Sequence, residues 1–331
     1  LALISIGQVY FFFHRAFLWD GVIFHALGVV FFVLAWRTVR VPSAAGHAPG
    51  GDSPRDREFL EKRARIVLLA LGLVLSCVAV LLSYGRTSTD STKDVVLVWL
   101  LSIFAVVLAL VWPAPSLFAW PRSWKVGLPK LNREMWLEIA VVAGLAILAF
   151  SLRATALERV PYTLGGDEAW HGLLARQVLS GDLRNPFVMG YLSMPTFLYW
   201  PLGWSMWLVG DGVVGLRLPA ALAGTLTVVA LYLFARRFWG RRTALVSALM
   251  LATYEYHIHF SRLGASNIWD SLYVILTLGL LDSGLMSTSS ERGRFLCVLA
   301  GGVLGVSVYF YTGARLLPLL VLTYVCLLYT S

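Results

Sequence analysis

The sequence predicts an all-α, polytopic transmembrane helical bundle, and three observations carry that prediction. Apolar residues make up 58% of the 331, only 14% are charged, and the mean hydropathy is +0.74. One soluble core cannot hide that much apolar surface, whereas a bilayer solvates it directly. The apolar residues also fall in long continuous runs, close to the roughly 17–25 residues that cross a bilayer as a helix. Finally, the runs lack the period-two alternation of barrel strands, which leaves the helix to pair every backbone N–H and C=O in hydrocarbon.

Taken in order, spans are expected at 16–36, 66–84, 95–112, 135–152, 216–234, 243–260, 268–286 and 295–311, with partial ones at 1–13 and 316–331. Residues 37–65 hold Arg37, Arg40, Arg55, Arg57, Lys62, Arg63 and Arg65 among Pro and Gly, and read as a flexible basic loop. Arg122, Lys125, Lys130 and Arg133 mark 113–134; Arg236, Arg237, Arg241 and Arg242 mark 235–242; Arg292 and Arg294 mark 287–294. The positive-inside rule places these four connections in the cytoplasm. They also account for the net charge of +9, so nucleic acid is not an expected partner and the lipid bilayer is. Cys77, Cys297 and Cys326 lie in apolar segments without a ligand-spaced neighbour and read as packing residues.

If 113–134 and 235–242 share a side, an even number of crossings separates them. The apolar stretch 195–209 is the shortest of the three between them and contains Pro195 and Pro201, so it reads as a juxtamembrane or re-entrant helix. Its Phe197, Tyr199, Trp200, Trp204 and Trp207 suit the interface. The loop 153–194 and the turns 261–267 and 312–315 then fall outside. Within the loop a short helix is expected over about 168–180, with Asp167 as its N-cap and Glu168 in its first turn.

Two groups of residues can carry chemistry. One is Gly165-Gly166-Asp167-Glu168-Ala169-Trp170-His171 in the outer loop. The other is His257-Ile258-His259-Phe260-Ser261-Arg262, followed by Asn267 and Asp270. Asp270 opens an apolar segment, and ionisable groups at membrane depth are costly and usually functional. Carboxylates converging from Asp167, Glu168 and Asp270 could serve as general base and polar partner for an acceptor hydroxyl. Arg262 and Arg315 could hold a phosphate through paired guanidinium hydrogen bonds. His171, Arg176 and His259 complete the expected substrate-binding set. His257 and His259 are two positions apart and do not share a helix face, so no metal ligand set is expected; two carboxylates at one site still leave room for a divalent cation.

From about 135 to 316 the chain resembles the multi-spanning GT-C glycosyltransferases of the protein O-mannosyltransferase and aminoarabinose (lipid A) transferase type. The likeness rests on Asp167-Glu168 with Ala175-Arg176, on Pro195-Thr196-Phe197-Leu198-Tyr199-Trp200, and on Arg217-Leu218-Pro219-Ala220-Ala221-Leu222. Arg236-Arg237-Phe238-Trp239-Gly240-Arg241-Arg242 and Ser261-Arg262 with Asp270 extend it. The resemblance implies transfer of a sugar from a polyprenyl-phosphate donor to a protein, lipid or glycan acceptor at the outer face of the cytoplasmic membrane. It implies Asp167 as the catalytic base and matches Asp270 to a second outer-loop aspartate. Where aminoarabinose-type relatives carry an acidic–basic pair before the first-loop proline, this chain has Ser193-Met194-Pro195. Residues 135–331 are expected to be the N-terminal part of the GT-C core and 1–134 to add further helices. Because the chain opens on Leu1 and closes within an apolar run at Leu327–Ser331, both ends are expected to be cut. The alternative is a polytopic transporter, whose intramembrane charges would line a pathway between two related halves. No internal repeat is visible, and the polar residues gather in loops.

Overall fold

A computed structural model describes residues 54–111, 132–191 and 194–330, all but Pro54 in the second of two compact units, Arg55–Ser331. The expected spans at 1–13 and 16–36, and most of the loop 113–134, lie outside the described residues. Among those described there are ten α-helices and no strand beyond an isolated bridge between Met189 and Pro195.

The helices are α1 (Pro54–Ser83), α2 (Lys93–Val111), α3 (Arg133–Ala154), α4 (Gly166–Ser180) and α5 (Tyr199–Val209). They continue as α6 (Val213–Thr253), α7 (Glu255–Ser261), α8 (Ile268–Leu285), α9 (Ser290–Ser307) and α10 (Leu317–Thr330). Five are long and apolar enough to cross a membrane, within 62–83, 93–110, 133–154, 213–253 and 268–285. The chain is a multi-pass membrane protein. At 11 residues, α5 is about 16 Å long, too short for a bilayer core of about 30 Å. Its outer side carries the exposed Trp204 and Trp207.

Two expectations are corrected here. Residues 54–65 are not loop but the polar first turns of α1: Pro54 takes the first helical position, where its missing N–H costs nothing, and Arg, Glu, Leu and Lys are good helix formers. The spans expected at 216–234 and 243–260 are one 41-residue helix, broken at Gly240 with φ 81° and ψ 176°. A side chain is disfavoured in that left-handed region, so Gly240 lets the chain reverse without a longer loop. The second arm ends at Thr253, and the rest of that expected span becomes the separate short helix α7.

Helix α6 organises the core. Its Val228, Tyr232, Ala235, Ala244, Ala248 and Ala252 enclose Leu145 and Ala149 of α3. On its other side, Ala220 and Ala223 pack on Ile268 and Leu272 of α8. Around Gly240, Arg236 pairs with Glu138, Arg237 with Asp282, and Arg241 lies 3.6 Å from both Glu134 and Glu138. These contacts bring the start of α3, the bend of α6 and the last turn of α8 to one end of the bundle. The end of α3, α4, α7 and the start of α8 meet at the other.

Candidate active site

Helix α4 begins at Gly166 with Gly165 as its N-cap, so the cap expected at Asp167 is corrected. The two glycines supply the turn into the helix, and Asp167 falls inside the first turn, where its charge complements the helix dipole without being consumed as a cap. Glu168, His171 and Ala175, at helical spacing, face inward and are buried. Asp167 and Trp170 face outward. Asp167 Oδ1 accepts a 2.8 Å hydrogen bond from the Tyr191 hydroxyl, and this bond holds the phenol above its ordinary pKa. The rings of Tyr191 and Trp170 lie 5.4 Å apart.

Behind Asp167 the site is locked by buried charge. Arg217 of α6 donates to both oxygens of Glu168, at 2.6 and 2.9 Å, and the Gly264 amide donates to Oε1 at 2.7 Å. The two side chains are 1% and 3% exposed. Arg217 also donates to the carbonyls of Leu157 and Pro161, at 2.8 and 3.0 Å. Glu168 thus serves as a buried anchor, accepting three hydrogen bonds from a guanidinium and an amide.

Arg262 is committed in the same way. Its guanidinium donates to the carbonyls of Leu152, Arg153, Thr155, Ala156 and Val160, at 2.6 to 3.3 Å. Every N–H of its fork is engaged, so none is left for a phosphate. What it does instead is cap the C-terminus of α3 and the following turn, where unpaired carbonyls carry partial negative charge. Arg153, fully buried, donates to Ser261 Oγ at 3.2 Å, to the carbonyls of Ala149, Leu251 and Ala252, and to His257 Nδ1 at 2.8 Å. Because a guanidinium only donates, Nδ1 is the acceptor and the His257 proton sits on Nε2.

His171 is 2% exposed, and its Nδ1 meets the Gly264 carbonyl at 3.0 Å. A carbonyl only accepts, so Nδ1 carries the proton and Nε2 presents a lone pair. Burial holds this imidazole below its ordinary pKa, although the Gly264 carbonyl and the charges of Asp167 and Glu168 pull the other way. Its ring lies 5.5 Å from that of the fully buried Tyr199, whose phenol burial pushes up to about 12.

The remaining expected residues are spread more widely. Asp270 sits in the first turn of α8 with Oδ2 packed against Gly313 and Oδ1 buried without a partner among the described residues. Beside it, Asn267 donates to the Tyr311 hydroxyl at 3.1 Å, and Arg315 lies half-buried in the 3-10 turn Thr312–Leu316. His259 is exposed against Phe260. Arg176 is not gathered into the site, since it makes an exposed 2.7 Å ion pair with Asp211. Among the described residues no group of three or more His, Cys, Asp or Glu could hold a metal ion.

The loop after α4 is braced from the N-terminal side of the chain. The Ser88 carbonyl accepts from the amides of Arg184 and Asn185, at 2.8 and 3.2 Å, and Asn185 Nδ2 reaches the Thr87 carbonyl at 3.3 Å. Trp99 of α2 packs edge-on to Phe187 and Tyr309. Sequence reading missed Arg153, Tyr191 and the anchoring task of Arg217. The signal that singles out Asp270, an ionisable residue in an apolar helix, applies equally to Arg153 and Arg217.

Residues 193–330 match the family described as dolichyl-phosphate-mannose-protein mannosyltransferase. The GT-C likeness is borne out. An undecaprenyl phosphate-alpha-4-amino-4-deoxy-L-arabinose arabinosyl transferase of Pseudomonas aeruginosa (strain UCBPP-PA14) is 31% identical over 207 residues, covering 57% of this chain and 34% of that protein. The protein of the same name from Pseudomonas paraeruginosa (strain DSM 24068 / PA7) is 31% identical over 179 residues, 50% of this chain and 29% of the relative. A third, from Edwardsiella ictaluri (strain 93-146), is 35% identical over 91 residues, 26% and 16% respectively. The chain thus spans about a third or less of the length of these relatives. No solved structure matches it.

Proposed function

We propose that the protein transfers a sugar from a polyprenyl-phosphate donor to an acceptor hydroxyl at the outer face of the cytoplasmic membrane, with Asp167 as the base. One observation carries this reading: Asp167 is an outward-facing carboxylate oriented by Tyr191 on a helix that the buried Glu168–Arg217 pair fixes in place. The acceptor oxygen attacks the anomeric carbon, the bond from that carbon to the phosphate oxygen breaks, and Asp167 takes the hydroxyl proton. Polyprenyl phosphate leaves with the bonding electrons. Arg315, half-buried in the 3-10 turn Thr312–Leu316 beside Asp270, is the cation assigned to that phosphate. Asp270, next to the same turn, orients the acceptor.

Charge supports this sidedness. Arg236, Arg237, Arg241 and Arg242 cluster at the bend of α6, and Lys/Arg-rich connections tend to stay cytoplasmic, which favours the opposite, outer end for Asp167. The test is transfer from radiolabelled polyprenyl-phosphate mannose and polyprenyl-phosphate 4-amino-4-deoxyarabinose by membranes containing the protein expressed from its complete gene. Asp167→Asn is expected to lose on the order of 10²–10⁴-fold in rate while inserting normally. Undiminished transfer by that variant removes Asp167 as the base.

A further inference from the structure

We infer that His171 and Tyr199 form a specificity pair that reads one hydroxyl of the transferred sugar; this deepens the transfer reaction proposed above and rests on it. Both residues are nearly or fully buried, their rings are 5.5 Å apart, and His171 Nε2 and the Tyr199 hydroxyl each have no hydrogen-bond partner among the described residues. A buried polar group left unpaired is costly, so two on neighbouring rings call for a ligand that satisfies them.

The chemistry of the two atoms narrows that ligand. The Gly264 carbonyl fixes the His171 proton on Nδ1, so Nε2 can only accept. The Tyr199 phenol stays protonated and can donate. A phosphate oxygen cannot satisfy Nε2, and an ammonium cannot accept from the phenol. A carbonyl also fails at Nε2, for want of a proton. A hydroxyl does both, giving its proton to Nε2 and taking one from Tyr199.

The place fits a sugar next to the base. The Tyr199 ring edge lies against Gly190, where a Cβ would stand 3.3 Å from Cε2, and the next residue, Tyr191, holds Asp167. His171 lies one helical turn from Asp167 on α4. Glu168, between them in sequence, is held by Arg217 and Gly264. The pair is thus the uncommitted buried polar surface of α4 and α5 closest in sequence to the base.

The experiment compares wild type with Tyr199→Phe, which removes one oxygen and no packing atoms, in the same membrane assay. The donors are whichever of the two polyprenyl-phosphate sugars wild type transfers and its monodeoxy analogues. Wild type is expected to lose about 100-fold or more in kcat/KM at one deoxy position. Tyr199→Phe is expected to lose at least about tenfold with the parent sugar and to be within about threefold of wild type with that one analogue. His171→Gln, which can still accept at that site, should retain more discrimination than His171→Phe. A Tyr199→Phe effect equal for every analogue, or none at all, overturns the inference and assigns the two atoms to an internal water. Failure of wild type to transfer any sugar is a separate result, which defeats the reaction and not the pair alone.

Discussion

The two ends of the bundle both gather arginines, yet they use them differently. At the end holding Asp167, Arg153, Arg217 and Arg262 are no more than 8% exposed and spend most of their hydrogen bonds on backbone carbonyls. At the end holding Gly240, the side chains of Arg236, Arg237 and Arg241 are 38, 40 and 53% exposed and meet carboxylates. The first set fixes the path of the chain through 149–162, the turn that leads into α4. The second set joins helices through pairs whose arginine side is open to water, while the carboxylates of Glu138 and Asp282 are 12 and 3% exposed. Removing a cation therefore has different consequences at each end.

The sharpest test is Arg217→Ala, which strands the buried Glu168 carboxylate. Breaking a buried pair typically costs about 3–5 kcal/mol, read as loss of folded protein in detergent by thermal unfolding. A wild-type-like unfolding temperature would mean the pair is not an anchor. Next is Gly224→Val. A Cβ at Gly224 would stand 2.1 Å from Ser261 Oγ and 3.1 Å from Arg153 Nε, so the helix or the buried arginine must shift. Overpacking of this kind costs about 1–3 kcal/mol, and unfolding midpoints of Gly224→Ala and Gly224→Val should fall in that order.

His171 supplies a pH test of the same end. Its folded pKa is lowered by burial, so protons bind the unfolded chain first as pH falls below about 6.5. Its contribution is fully present above that value and is lost as pH drops toward the lower folded value. Unfolding temperatures measured across that window should decline less in His171→Phe than in wild type; equal slopes would assign the decline to other groups. The smallest effect is expected at the other end. Arg236→Ala should cost no more than about 1 kcal/mol and shrink further at high salt. A larger, salt-insensitive loss would erase the contrast between the two ends.

Much of the bundle was legible because hydropathy alone marks a helix that must satisfy its backbone in lipid: α3, α8 and the first arm of α6 follow their expected spans within a few residues. The polar start of α1 was not legible, having no apolar signal and lying next to Pro and Gly. At the site, the carboxylates of Asp167 and Asp270 stand out by residue type and position. The tasks of Glu168 and Arg262 do not, since they depend on partners 49 and up to 110 positions away, Arg217 for one and the end of α3 for the other. A cation beside a candidate site reads as a ligand-binding group in sequence, and only geometry shows that carbonyls already occupy it.

The long reach of Arg262 also bears on the order in which the protein is made. The carbonyls it binds, from Leu152 to Val160, leave the ribosome 102 to 110 positions before it does. At roughly 5–20 residues per second, the end of α3 waits about 5–20 s for the side chain that fastens it. The turn into α4 is thus threaded early and tied late, and during that interval Asp167 has no fixed address.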